Sequence, residues 1–278
     1  MIKSKFALVF ALVMLFFALP MSAKEYKEYA DLSNRYKWVG VFVGESGKVE
    51  QILKSHFHFY EFQDTIKRLW NSGYVLDDIK YGDGKWVGVF SKNTKGVTQK
   101  YYEAGRWNDM DGVIEKEWKD GNFVTKVEYG LGKWIAFFAN AQSTGYTHQG
   151  YERREELEEF RLAIRERWRK GFTLTHVEYG EGRWLGIFSK GKNLYKDQAF
   201  NVRSYWPDTV MGIEDRWREN QKITSIANGL HRWFVLFSKS TQYGKQGYEA
   251  SSSVENFEIK LKERNAKGYR LIHLSEGW

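Results

Sequence analysis

The chain has 278 residues, 42% apolar and 17% aromatic, enough for a large buried core and against wholesale disorder. Its formal charge of +8 favours weak attraction to acidic surfaces and nothing more specific. With no cysteine, disulfides, thiolate metal sites and a cysteine nucleophile are excluded.

Residues 1–23 read as a secretory signal peptide. Lys3 and Lys5 form a positive start, Phe6 to Leu19 is a short apolar run, and Ser22-Ala23 offers small residues before a cut. An uncleaved anchor is the alternative. Export places the mature protein in a secreted or periplasmic location and argues against nucleic acid as a partner. Residues 24–36 form a polar arm, and residues 37–278 a single repeat domain.

The repeat is anchored by Trp38, Trp86, Trp134, Trp184 and Trp233, spaced by 48, 48, 50 and 49 residues. Within each unit, Phe62, Ile66 and Trp70 have fourfold spacing, matched by Met110, Ile114 and Trp118, by Phe160, Ile164 and Trp168, and by Thr209, Ile213 and Trp217. Such a stripe predicts an amphipathic helix. Gly73, Gly121, Gly171, Asn220 and Gly268 follow as left-handed C-terminal caps. A first strand comes next, apolar at pairs such as Leu76 and Ile79, and ends in a hairpin at Gly82, Gly130, Gly180, Gly229 and Gly277. The Trp-containing second strand is apolar on both faces, as an internal strand would be. Its middle position holds Gly40, Gly88, Ala136 and Gly186, where close approach of a ring or backbone is expected; only Val235 departs. A third strand carries Gln51, Gln99, Gln149, Gln198 or Gln246. A buried glutamine of this kind can satisfy backbone groups between units.

The C-terminal copy stops after the first strand, and the N-terminal copy begins with the second and goes on to the third. The fold class read from this is an α+β repeat protein: a closed five-bladed propeller-like ring of one helix plus three strands per unit, its first blade completed by both termini.

The pattern of Trp, Ser-Lys, Tyr and Gln, legible in Ser189-Lys190, Tyr195 and Gln198 and in Ser238-Lys239, Tyr243 and Gln246, resembles the repeated region that follows the kinase domain of plant casein-kinase-I-like protein kinases. The resemblance covers Lys37 to Trp278 without a kinase core. It implies a non-enzymatic accessory or binding ring.

Candidate functional residues lie where the units differ. Between the apolar positions of the first strand stand Asp78, Lys126, His176, Ser225 and His273; two places on stand Lys80, Glu128, Glu178, Ala227 and Ser275. If first strands line a central axis, these make two stacked polar rows. They suit a small polar ligand or a sugar; the bland alternative is a solvated strand face. A secreted hydrolase using Asp78, His176, Glu178 and His273 is the rival reading, and a glycan or protein partner met through Tyr146, Tyr195 and Tyr243 is another. No cofactor, metal site or catalytic motif is expected, and neither stable membrane insertion after cleavage nor an oligomer. His56 and His58 read as two imidazoles on one strand face. The acidic run Glu155 to Glu159 before Arg161, Arg165, Arg167 and Arg169 reads as helix-dipole pairing.

Overall fold

The computed structural model describes residues 36–45, 49–192 and 194–278. The expected leader, and the expected arm except Tyr36, lie outside the described residues. The chain opens with β1 (Lys37–Gly44), β2 (Gln51–His56), α1 (Phe59–Asn71), β3 (Tyr74–Gly82) and β4 (Lys85–Lys92). It continues with β5 (Gln99–Ala104), α2 (Trp107–Lys119), β6 (Asn122–Gly130), β7 (Lys133–Asn140), the single turn α3 (Ala141–Thr144) and β8 (Tyr146–Arg154). Next come α4 (Leu157–Arg169), β9 (Thr173–Gly180), β10 (Arg183–Gly191), β11 (Lys196–Arg203), α5 (Trp206–Arg218) and β12 (Lys222–Gly229). It ends with β13 (Arg232–Lys239), β14 (Gln246–Ser251), α6 (Val254–Ala266) and β15 (Tyr269–Gly277). Among the described residues, no helix is long and apolar enough to cross a membrane.

The strands form five three-stranded antiparallel sheets, β2–β4–β3, β5–β7–β6, β8–β10–β9, β11–β13–β12 and β14–β1–β15. Each Trp-containing strand lies in the middle, almost wholly buried, as its two apolar faces require. The Gln strand pairs with the Trp strand of the following repeat, which corrects the expected order within a unit. The reason is directional. β2 and β3 are both antiparallel to β4, so they run parallel to each other, and parallel strands need a crossover. The helix is that crossover. A unit is therefore Gln strand, helix, first strand, Trp strand. For the same reason the N-terminal copy contributes only β1 to the sheet shared with the C-terminus, seated between β14 and β15, while β2 belongs to the next sheet.

Every first strand carries a bulge. Pairing slips between Leu76 and Asp78, between Val124 and Lys126, and at the same place in β9, β12 and β15. This extra residue is why the apolar positions Leu76 and Ile79 are three apart in a strand whose faces otherwise alternate every two.

The helix stripe packs onto the middle strand where that strand is thinnest. A Cβ built on Gly88 would lie 2.5 Å from Phe62 Cζ, and one on Gly40 2.4 Å from Phe257 Cζ, so both glycines are required by close approach. The helices end as expected, with Gly73, Gly121, Gly171, Gly268 and Asn220 at positive φ.

The glutamines tie neighbouring units together. Gln198 accepts from Leu174 N at 2.7 Å and donates to Leu174 O at 2.9 Å, while Trp168 Nε1 and Ser238 Oγ complete its shell. Gln99, Gln149 and Gln246 hold Leu76, Val124 and Ile223 in the same way, and Gln51 holds Leu271. In α6, Asn265 stands at the Trp position and still donates to Gln51, at 3.2 Å. These bonds go to strand backbone beside the bulge.

Candidate functional site

The first strands pack against one another, β3 with β6, β6 with β9, β9 with β12, β12 with β15, and β15 with β3. Asp78, Lys126, His176, Ser225 and His273 hold one register position in these strands; Lys80, Glu128, Glu178, Ala227 and Ser275 hold the next on the same face. Strand packing thus brings the two polar rows together. They are buried, Lys126 being the most open charged member with 15% of its side chain exposed, so the solvated-face reading does not hold.

Most members are bonded to one another and to strand backbone; among the described residues, the buried His273 Nε2 and Ser275 Oγ have no hydrogen-bond partner. Lys80 Nζ lies 2.7 Å from Glu128 Oε2 and also bonds Glu178. The remaining carboxylate oxygens accept from backbone: Glu128 from Tyr81 N at 2.8 Å, Glu178 from Tyr179 N at 2.9 Å. Lys126 Nζ pairs with Asp78 Oδ1 at 3.2 Å and lies 3.4 Å from His273 Nδ1. Asp78 accepts from Ile79 N at 3.0 Å and from Leu274 N at 2.7 Å. His176 Nε2 donates to Val127 O at 2.8 Å, and Ser225 Oγ accepts from Val177 N at 3.2 Å.

Burial sets the protonation states. It would lower Lys80, but Glu128, Glu178 and Asp78 raise it overall and keep it an ammonium. Burial, then the charge of Glu178, pushes the Glu128 carboxyl well up despite Lys80. Burial and the Lys126 and Lys80 ammoniums hold His176 well below the usual imidazole range, and His273 is lowered the same way with His176 adding to it. Both imidazoles are therefore neutral.

One half-buried acid escaped the sequence reading. Glu276 of β15 is pushed up to about 7 by burial, which the Tyr36 hydroxyl and Lys80 only partly offset. Its position in the other units holds Tyr81, Tyr129, Tyr179 and Asn228. Each of those side chains packs on the strand-end glycine of the next unit, for instance Tyr81 on Gly130; over Gly82 the place is taken by Tyr36 and Glu276. The break in a tyrosine column was the available signal.

Other candidates fall elsewhere. Tyr195 and Tyr243 share a 2.8 Å hydroxyl contact and Tyr146 packs edge-on against Phe123, a half-buried framework arrangement. His56 ends β2 and its Nε2 lies 2.9 Å from Thr65 Oγ1, whereas His58 is outside the strand as the N-cap of α1, so the two imidazoles do not share a strand face. The acidic run leads into α4 as expected. Among the described residues, no group of three or more His, Asp or Glu side chains is placed to hold a metal ion. Open cavities lie away from the rows, among them one of about 380 Å³ beside Lys92 and Arg270, one of about 330 Å³ beside Trp86 and Leu131, and one of about 230 Å³ beside Trp206 and Tyr248.

A family model described as a domain of unknown function (DUF7477) matches residues 78–276, well over half of the chain, and the chain belongs to that family. No curated protein matches it. No solved structure matches it.

Proposed function

We propose that this member of the DUF7477 family is an exported, non-enzymatic binding protein, built as a closed five-bladed ring and acting as a monomer after cleavage before Lys24. The cyclic order of first-strand contacts, with β1 seated between β14 and β15, supports closure. The resemblance to plant kinase-associated repeats supports an accessory role. The observation that carries the binding reading is the state of the polar rows: buried, with their charged members spent on one another and on strand backbone. On this reading the axis is a polar seam that registers the blades, and ligands are met on the outer face. A hydrolase reading has less to support it, since Asp78, His176 and Glu178 are each engaged by backbone and a general base must reach a substrate proton.

Thermal-shift screening of soluble metabolites and oligosaccharides tests this, on the parent and on a Lys126→Ala/His273→Ala variant. A ligand at a hundredfold excess over Kd stabilises by roughly 2.7 kcal/mol, and the shift is expected in both proteins. A hit lost in the variant returns the site to the axis. Turnover of chromogenic ester or glycoside substrates that disappears in His176→Ala would replace the binding reading with the hydrolase. N-terminal sequencing of the secreted or periplasmic protein tests export; an intact Met1 in a membrane fraction would favour the anchor.

A further inference from the structure

The same cleft recurs on the outside between the helix of one unit and the Gln strand of the next, and two of its copies differ in an informative way. Between the units of α2 and α4 its floor is Trp107 and Trp134, and the chain plugs it. The Arg153 guanidinium lies 5.8 and 5.7 Å from those ring centroids, and Glu181, at the hairpin tip, pairs with Arg153 and accepts from Trp107 N at 3.4 Å. Between the units of α1 and α2 the floor is Phe59 and Trp86. Here Glu103 stands at the Arg153 position and Leu131 at the Glu181 position, and a cavity of about 330 Å³ is left, at the low end for small-ligand pockets (~300–1,000 Å³).

The copy floored by Phe59 and Trp86 has chemistry of its own. Tyr60 is 62% exposed on its rim and stacks on His58, with centroids 5.3 Å apart and planes at 11°. Leu131 is 58% exposed at φ 49°, a left-handed position held by Asp83, Glu181 and Leu230 in the equivalent hairpins. Beside them Glu103 accepts from Gln63 Nε2 at 3.1 Å and from Lys133 Nζ at 3.0 Å, forming a polar wall. That wall carries donors and acceptors with no net charge, because Lys133 neutralises Glu103.

We infer that this cleft is a saccharide-binding site for a neutral pyranose unit. A pyranose has an apolar C–H face for Tyr60 and Leu131 and an edge of hydroxyls, each both donor and acceptor, for Glu103, Gln63 and Lys133. A charged ligand would meet a wall whose charges already cancel, and a purely apolar one would strip water from Glu103 without replacing its bonds. The inference rests on the binding reading above and names its ligand class.

The test uses cellotetraose, chitotetraose and maltotetraose as probes, with saturation-transfer NMR and titration of the folded protein. One of the three is expected to bind the parent, at least about tenfold more weakly to Tyr60→Ala, as loss of a stacking platform of roughly 1.4 kcal/mol requires. A Glu103→Arg/Leu131→Glu double variant rebuilds the plug of the neighbouring cleft. It is expected to keep the parent melting temperature and lose the sugar. Binding that survives the plug overturns the inference, as does failure of all three sugars on the parent. An amphipathic peptide that binds the parent and is excluded by the plug, with no sugar binding, overturns the ligand class. The wider binding reading fails on a different result: no ligand of any kind in the thermal-shift screen.

Discussion

Substituting Gly88 by Ala should destabilise the protein, and thinning Phe62 at the same time should restore much of what is lost. The added Cβ would sit 2.5 Å from Phe62 Cζ and 3.1 Å from Leu76 Cδ1, between a helix and a buried middle strand with no free side to move into. Overpacking of this kind costs about 2 kcal/mol, which for a chain of this size lowers the melting temperature by roughly 4–8 °C. Phe62→Met alone leaves a partial void and costs on the order of 1–2 kcal/mol. The repeat itself contains the compensated pair: Met110 faces the middle strand where Ala136 replaces the glycine, both in one core cluster. The series continues, since Phe160 goes with Gly186 and Phe257 with Gly40, whereas the fourth unit combines Thr209 with Val235. Helix and strand share one volume. The double variant Phe62→Met/Gly88→Ala is therefore expected to lie closer to the parent than the sum of the singles, by on the order of 1–2 kcal/mol. Urea unfolding of the four proteins followed by tryptophan fluorescence measures it. Additivity within about 0.5 kcal/mol would refute the shared-volume argument.

Three further outcomes follow from the same structure. Deleting Val254–Trp278 removes α6 and β15 and leaves β1 with β14 alone, so unfolding is expected at lower temperature for the whole chain; parent-like melting in one transition would contradict closure. Gln198→Ala strips partners from Leu174 N, Leu174 O and Trp168 Nε1, and roughly 2–3 kcal/mol should be lost in denaturant titrations, against no change if these groups find water. Glu276 has a folded-state pKa near 7 against an ordinary value of 4.5, so across that window the folded protein keeps a proton the unfolded chain gives up. Rising pH therefore erodes stability there, and Glu276→Gln should raise the melting temperature above pH 7 and do nothing near pH 4; an unchanged profile would place that carboxyl in water.

Much of the fold was legible because the same physical demand is written several times. A fourfold stripe followed three residues later by Gly or Asn forces a helix and its left-handed cap whatever surrounds it, and the structure places all of these at positive φ. The paired strand was legible for the same reason, but its ownership was not. Gln51, Gln99 and the others follow the Trp strand in sequence, and nothing local says that they hydrogen-bond the next unit's Trp strand. That assignment follows only from the requirement that a helix joins parallel strands. The bulge was written in the three-residue spacing of Leu76 and Ile79, which an unbroken strand with its period of two would put on opposite faces.

The candidate site was legible only in part, and the reason is electrostatic. The sequence places Asp78 and Lys126 at one position of the first strands and Lys80, Glu128 and Glu178 at the next on the same face, and packing does bring them together; whether such a set lines a pocket or fills a seam depends on how the charges close. Lys80 reaches two carboxylates from two different units, and the oxygens it leaves take backbone N–H groups of Tyr81 and Tyr179. A buried ion set bonded this fully offers little to a ligand, because each bond surrendered exposes a desolvated charge. Breaking it on one side should accordingly cost more than removing it. Lys80→Met leaves Glu128 and Glu178 facing each other and is expected to be the worst single change in the rows, while Lys80→Met/Glu128→Leu/Glu178→Leu recovers stability toward the parent. Thermal unfolding of the pair of variants decides between seam and pocket: a triple variant no more stable than Lys80→Met would mean that the charges are kept for something they bind.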